Sequence, residues 1–326
     1  MRNVKSIQLS WSRQVSVAMV FLGGIEAGGT KFRCAIGTHR GSILESTTIP
    51  TGPPQDTVRE VARFFRSHRT KLPIDTLGIA SFGPLDLRPN SPCYGHITST
   101  PKLEWRDYDI VGRVGRATGV RDIAFDTDVN AAALAEAQWG SGRNLDPLLY
   151  LTVGTGIGGG VVANGAVIHG LLHPEMGHIR VPRQPSDQFE GCCPTHGDCF
   201  EGLAGGKAME LRWGVPAHDL PRSHEGWVLE TRYVAQALAN LILTISPKRV
   251  IVGGGVTNKL RWVLLREYVQ VLINDYLDVP ELKARIDEYI VRPGLADDSG
   301  VLGAIALASI RSERRHADAS VRSAEC

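Results

Sequence analysis

The sequence has no run of roughly eighteen apolar residues, which removes an obvious membrane-spanning helix. It also lacks an excess of charge of either sign. Its 36 Lys and Arg nearly balance 34 Asp and Glu, for a formal net charge of +2. Nothing in that balance calls for nucleic acid, an acidic membrane or a strongly acidic partner. Cysteine is sparse, and Cys34, Cys93, Cys192, Cys193, Cys199 and Cys326 are not spread as a disulfide framework would be. Three of them crowd into one short loop, and a local cluster with histidines nearby reads as metal-binding. The first eighteen residues hold Arg2, Lys5 and Arg13 but no apolar stretch of signal-peptide length. Residues 1–18 are therefore expected to be a tail, disordered or ahead of a true start at Met19, and the protein to be cytoplasmic.

What is present is a chain of 326 residues, long enough for two domains. Apolar, β-branched residues at 18–25 run into a glycine turn, resume at 32–36, turn near Gly41 and continue at 42–49. That reads as three strands. A helix is predicted at 56–69, with Val58, Val61, Ala62 and Phe65 on one face. A strand at 76–80 follows, then a loop at 90–108, a strand at 123–126 and an alanine-rich helix at 130–139. Further strands are expected at 148–153, 161–163 and 249–252, and helices at 228–244, 264–277 and 300–311.

Gly24-x-x-x-Gly28-Gly29 and Gly154-x-x-x-Gly158-Gly159 share one spacing, and each lies between two strands. The pair suggests a weak internal repeat of two related α/β domains. Glycine lets the backbone approach a phosphate and offer N–H donors unobstructed. A Walker A loop is excluded, because no segment matches G-x-x-x-x-G-K-[ST]. Gly154-x-Gly156-x-x-Gly159 does match the dinucleotide fingerprint, but that motif must open a helix. Here Val161-Val162 and an Asn164-Gly165 turn follow, which is β-hairpin chemistry.

Asp126-Thr127-Asp128-Val129-Asn130 places carboxylates between a strand end and a helix start. On residue type alone, Asp128 is equally suited to cap the helix or to take a proton. Cys193-x-x-His196-x-x-Cys199 has spacings suited to a tetrahedral zinc, with Cys192 as a competing ligand.

The glycine hairpins Gly24–Lys31 and Gly154–Gly160, with Val252-Gly253-Gly254-Gly255-Val256 and Asp298-Ser299-Gly300-x-x-Gly303-Ala304, resemble the ROK family of sugar kinases in their order along residues 22–310. The resemblance implies an α/β, two-domain actin-like ATPase (ribonuclease H-like) fold with an interdomain cleft. The smaller domain is expected at 19–124 plus about 298–318, and the larger at 125–297 with the zinc loop. It further implies ATP and Mg2+ bound by Gly28, Gly29, Thr30, Lys31, Thr155, Gly156, Gly158, Gly254 and Gly255. The family's Asp-x-Asn-Ala-Ala segment points to Asp128 as catalytic base, with Asn130 as a structural or sugar contact. Glu175 and Glu201 match its sugar-binding glutamates, Gly83 its sugar-facing strand end, and His178 a zinc ligand beside the sugar pocket. Cys-x-x-His-x-x-Cys and Glu26, where many members carry Asp, resemble the zinc-containing fructokinase branch. Structural Zn2+ on His178, Cys193, His196 and Cys199 is the implied consequence.

The expected activity is ATP-dependent phosphorylation of a hexose, fructose first, with glucose, mannose or N-acetylmannosamine as the alternatives. A homodimer is expected, with hexose and ATP as the small-molecule partners. The family's repressors carry some seventy residues of helix-turn-helix ahead of the first hairpin, against about twenty here. That makes a regulator the less expected class. Lys102 and Trp105 stand as either sugar contacts or surface residues.

Overall fold

The structure is a computed structural model that describes residues 20–324, so the tail read at 1–18 lies outside the described residues. Strands β1 (Phe21–Ala27), β2 (Lys31–Thr38) and β3 (Ile43–Pro50) form an antiparallel meander, as their turns predict. Helix α1 (Pro54–His68) follows, with Val58, Val61, Ala62 and Phe65 buried on the face read from the spacing. It returns the chain to β4 (Ile74–Ser81), which pairs parallel to β1.

The stretch expected to be loop carries a small ladder, β5 (His96–Ile97) with β6 (Tyr108–Asp109), around one 3-10 turn at Leu103–Trp105. Trp105 is 2% exposed and its indole N–H donates to Gly52 O at 3.1 Å, so this loop is pinned into the core. Helix α2 (Ile110–Thr118) was not foreseen, although it carries ordinary end signals. Asp109 accepts from the Gly112 amide at its start, and Gly119 takes a left-handed conformation at its end. Strand β7 (Asp122–Thr127) then pairs parallel to β4 and runs directly into α3 (Asp128–Trp139).

The second half repeats the plan. Strands β8 (Leu148–Val153), β9 (Ile157–Ala163) and β10 (Ala166–Val167) form an antiparallel meander. Asn164 and Gly165 both have positive φ at its second turn, and both amides donate to Asp146. Three helices follow, α4 (Phe200–Ala204), α5 (Gly206–Trp213) and α6 (Gly226–Ile245). Strand β11 (Arg249–Gly253) pairs parallel to β8. Helices α7 (Trp262–Ile273), α8 (Pro280–Lys283) and α9 (Ile286–Tyr289) lead to β12 (Ile290–Val291), parallel to β11. The two five-stranded sheets have orders β3-β2-β1-β4-β7 and β10-β9-β8-β11-β12, which are the same topology. The internal repeat is therefore real at the level of the sheets.

The last helix, α10 (Ser299–Ala324), lies against β1 and β4 of the first sheet and crosses α3. Small residues make that crossing possible. A Cβ on Gly303 would strike the backbone of Ala131, and one on Gly78 the backbone of Ala304. Helix α3 in turn packs on β8 and β9 of the second sheet. Ala131, Ala132, Ala133 and Ala304 share a buried cluster with Leu148, Tyr150 and Ile251, so the α3–α10 pair joins the halves. The joint is held by Glu136, fully buried. Its carboxylate accepts from the Ser141, Gly294 and Leu295 amides and from the Ser299 hydroxyl, at 2.7–3.0 Å.

One buried acid has no such company. Glu230 on α6 is 1% exposed and neither carboxylate oxygen has a hydrogen-bond partner. Burial pushes its pKa well up, against a smaller opposing pull from Arg212. The folded state therefore holds this proton more tightly than the unfolded chain, and stability falls as pH rises above the unfolded value. Glu230→Gln is expected to raise Tm at pH 8, by roughly 2–4 °C for each kcal/mol recovered. The gain should vanish near pH 4, and paired thermal melts at the two pH values check it.

Candidate active site

Strand β7 ends where α3 begins, and the first turn of α3 settles which residue caps it. Thr127 has extended backbone and its hydroxyl accepts from the Asn130 amide at 3.1 Å, so the cap is Thr127. Asp128 is the first helical residue, and its carboxylate accepts from the Val129 amide, at 2.9 Å. The two roles left open by sequence are thereby separated, because the cap is already filled. Burial raises the Asp128 pKa to about 7, with the charges of Glu26 and Glu175 adding to the rise. A carboxylate with that pKa can accept a proton at neutral pH.

Behind it, Asp126 is 3% exposed and accepts from the Thr127 amide and from Asn130 Nδ2 at 2.7 Å. Its other oxygen meets His169 Nε2 at 2.8 Å. Asn130 itself has no exposed surface. Its Nδ2 braces Asp126, while its Oδ1 is buried without a hydrogen-bond partner among the described residues.

Two glycine turns flank Asp128. In the first, Gly28 donates to Lys31 O and Thr51 ties down the Gly28 and Thr30 carbonyls. A Cβ on Gly28 would lie 2.7 Å from Lys31 O. The amides of Gly29 and Thr30 have no acceptor among the described residues. In the second, Gly154 donates to Gly156 O, and the Gly206 and Lys207 amides of α5 hold the Gly154 and Thr155 carbonyls. The amides of Thr155 and Gly156 again have no acceptor among the described residues. Each turn therefore presents two consecutive free N–H groups, the donor arrangement that suits an anion.

Gly158 is different. It lies in β9 with its missing Cβ 3.0 Å from Val129 Cγ1, so packing on α3 also calls for glycine here. Gly254 has φ +92 and its missing Cβ would strike the backbone of Val153, which fixes the turn after β11 against β8. Among the described residues, no atom lies within 4 Å of where a Cβ on Gly255 would sit.

Glu26, at the end of β1, faces the first turn of α10, where a Cβ on Gly300 would collide with its carboxylate. Its Oε2 is buried without a hydrogen bond, 3.9 Å from Arg33. Burial raises its pKa despite the nearby Arg33 and Lys31. Lys102 was weighed only as a sugar contact or surface residue. Its Cε comes 3.1 Å from where a Gly29 side chain would begin, so it lies over the first glycine turn.

The carboxylate of Glu175 is 45% exposed and its pKa rises to about 7, through burial and then the charge of Glu201. Glu201 sits on α4 directly after the cysteine loop, and its Oε2 accepts from the Ile157 amide at 2.7 Å. One of its oxygens thus braces the second glycine turn, a link that spacing along the chain could not show. Gly83 lies on the other side, with its missing Cβ 3.5 Å from His173 Cε1.

The cysteine loop brings His178, Cys193, His196 and Cys199 together, one donor atom from each within 4.8 Å of the others. The nitrogen–sulfur separations are 3.4 Å for His178–Cys199, 3.7 Å for His178–Cys193 and 3.6 Å for His196–Cys193. Bond lengths of about 2.3 Å to sulfur and 2.0 Å to nitrogen give tetrahedral edges of about 3.5 Å, so a tetrahedral ion fits. Cys192 is outside the group; its amide donates to Gly202 O instead. His178 Nδ1 faces Cys199 and Cys193, which ties the loop that carries Glu175 to the cysteine loop.

Comparison with known proteins agrees with this geometry. The family model described as "ROK family" matches residues 22–311. The chain is 40% identical over 290 residues to a fructokinase of Pediococcus pentosaceus, covering 89% of this chain and 98% of that one. It is 41% identical over 292 residues to a fructokinase of Zymomonas mobilis subsp. mobilis, covering 88% and 95%. Among solved structures, a ROK hexokinase from Thermus thermophilus superposes with a TM-score of 0.70 at 27% identity, covering 90% of this chain and all of that one. Its mixed sheets have the two-domain actin-like ATPase arrangement. The chain belongs to the ROK family.

Proposed function

We propose that this protein is an ATP-dependent fructokinase that transfers the γ-phosphoryl group to the hydroxymethyl oxygen of fructose. The carrying observation is the pair of free N–H turns around an aspartate relieved of capping duty. In the transfer, the sugar oxygen bonds to the γ-phosphorus as the bond to the ADP oxygen breaks, and Asp128 receives the hydroxyl proton. Gly29, Thr30, Thr155 and Gly156 supply backbone donors to the phosphates, with Lys31 and Lys102 as nearby cations. The unpartnered Glu26 carboxylate fits a Mg2+ ion, which when bound neutralises charge on the phosphates. Glu175 and the free oxygen of Glu201 suit sugar hydroxyls, since carboxylates accept them with charge assistance.

The hexose is assigned as fructose because the fructokinase relatives share about two residues in five across nearly the whole chain. The four donors of His178, Cys193, His196 and Cys199 support a structural Zn2+ whose four positions are all filled by protein, and with it membership of the zinc-containing branch. We further propose domains at 19–124 with 298–318 and at 125–297. No helix among the described residues is long and apolar enough to cross a membrane, and we place the enzyme in the cytoplasm. A homodimer is proposed from apolar side chains exposed on and after α7, with Val263 at 70%, Val271 at 72% and Tyr276 at 81%. A coupled ADP-release assay across fructose, glucose, mannose and N-acetylmannosamine tests the substrate. Highest kcat/KM on fructose is the expected result; a higher value on another hexose replaces the assignment.

A further inference from the structure

Lys102 is an uncommitted cation over the first glycine turn. Among the described residues its ammonium makes no ion pair and no hydrogen bond. Its Cε is the one described atom within 4 Å of where a Cβ on Gly29 would sit, at 3.1 Å. Lys31 and Arg33, the cations that follow the turn, act on the Glu26 carboxylate instead.

The side chain is exposed, but the backbone that carries it is fixed. The Lys102 amide donates to Thr100 Oγ1 at 3.4 Å, and its carbonyl accepts from the Trp105 amide at 2.9 Å. Trp105 is buried against Phe32 and Phe82, with its indole N–H on Gly52 O. Thr51, one residue earlier, holds the glycine turn itself. Its amide donates to Thr30 O at 3.0 Å and its hydroxyl to Gly28 O at 2.8 Å. The segment Thr51-Gly52 thus ties the lysine's loop and the glycine turn to each other.

The register of the first sheet says which phosphate lies there. Strands β1, β4 and β7 are parallel, with Ala27, Ser81 and Thr127 level across them. The glycine turn and Asp128 therefore leave the same carboxyl-end edge, two strand spacings or about 10 Å apart. Such edges are where ligands sit in α/β sheets. The gap accommodates a sugar hydroxyl on Asp128 and one phosphoryl group on the Gly29 and Thr30 amides. The second turn follows β8 on the other sheet and is left for the phosphates that stay with ADP.

We propose that Lys102 is a catalytic residue: its ammonium, with the Gly29 and Thr30 amides, holds the γ-phosphoryl group during transfer to the sugar. This rests on the reading of Asp128 and the glycine turns as a kinase site. A phosphoryl group in flight spreads negative charge over its three outer oxygens, and catalysis comes from donors already in place. An ammonium offers three donors and no acceptor, which suits that charge.

Lys102→Met keeps the reach of the side chain and removes its charge. It should lower kcat by about 10²- to 10³-fold, the worth of one fixed donor to transition-state charge. The hexose KM should stay within about threefold. Lys102→Arg, which keeps the charge, should recover at least about tenfold of the loss. Calorimetry reads the contact without turnover. Mg-AMP-PNP should bind Lys102→Met about tenfold more weakly, while Mg-ADP, which has no γ-phosphate, binds unchanged. A raised hexose KM with kcat retained would make Lys102 a sugar contact, and wild-type values throughout would make it a surface residue. Equal weakening of both nucleotides would place it on the other phosphates. Each of these results overturns the proposal. If the wild type binds both nucleotides but phosphorylates no fructose, the fructokinase reading fails by itself, and the AMP-PNP to ADP comparison still decides Lys102.

Discussion

Asp128→Asn is expected to lower kcat by about 10²- to 10⁴-fold, the usual worth of a positioned general base. Fructose and ATP dissociation constants should change little, because the amide keeps the shape of the carboxylate and its acceptor for the Val129 amide. Thr127 already caps the helix, so the loss of activity should come without loss of fold. The sign of the stability change is itself diagnostic. The folded pKa of about 7 lies above the ordinary aspartate value, so the protonated form is favoured on folding. That contribution is present at low pH and is lost as pH rises toward 7, leaving an ionised carboxylate that burial disfavours. The variant should therefore melt no lower than the wild type at pH 8 while being nearly inactive. The same pKa predicts that wild-type kcat/KM falls at least tenfold per pH unit below about pH 7, as the base becomes protonated, and more steeply where Glu175, also near 7, takes up its own proton. Steady-state kinetics, calorimetric binding and thermal melts together check this. An unchanged kcat in Asp128→Asn would remove it from the base role.

Loss of zinc is the second large effect. Cys199→Ser, or exhaustive chelation, is expected to take zinc content from one equivalent toward zero and to raise KM for both substrates. The sugar side follows because His178 anchors the loop bearing Glu175, and α4 begins directly after Cys199. The nucleotide side follows because Glu201 on α4 accepts from Ile157, at the base of the second phosphate turn. Structural zinc is worth on the order of 10 kcal/mol in small modules. Here the loss should be local, since α6, β8 and β11 contribute much of a large buried core that the loop and α4 join only through Met176, Val181, Phe200, Leu203 and Ala204. Circular dichroism should change little while the loop near 183–203 becomes sensitive to protease. Stoichiometric zinc in Cys199→Ser would show that the ligand set is wrong, and an unchanged ATP KM in zinc-free protein would break the Glu201 link.

Much of this was legible in the chain because it is carried by local chemistry. Glycine spacing announced both glycine turns with their free N–H groups, and the Asn164-Gly165 pair marked the hairpin that excluded a dinucleotide fold. Apolar periodicity located α1, β4, β8 and α6 to within a few residues. Helix α2 escaped because its nine residues include two glycines and an Arg-rich face, which dilute the apolar pattern. Cys193 over Cys192 was favoured by spacing, and the arrangement of the four donors agrees.

What only the tertiary structure decided concerns groups that are distant in sequence or alike in type. Asp128 could have been a helix cap on residue type alone; the fold freed it by giving that work to Thr127 and by burying it near Glu26 and Glu175. Asn130 is buried beneath Gly160, where its Nδ2 holds Asp126. Lys102 over Gly29, Glu201 on Ile157 and His173 on the Leu85 amide are contacts across gaps of tens of residues. Sequence determines which chemistry is on hand, because residue type and short spacing set local turns and donor types. Burial and long-range partner are properties of the packed chain, and they turned a list of candidates into one site.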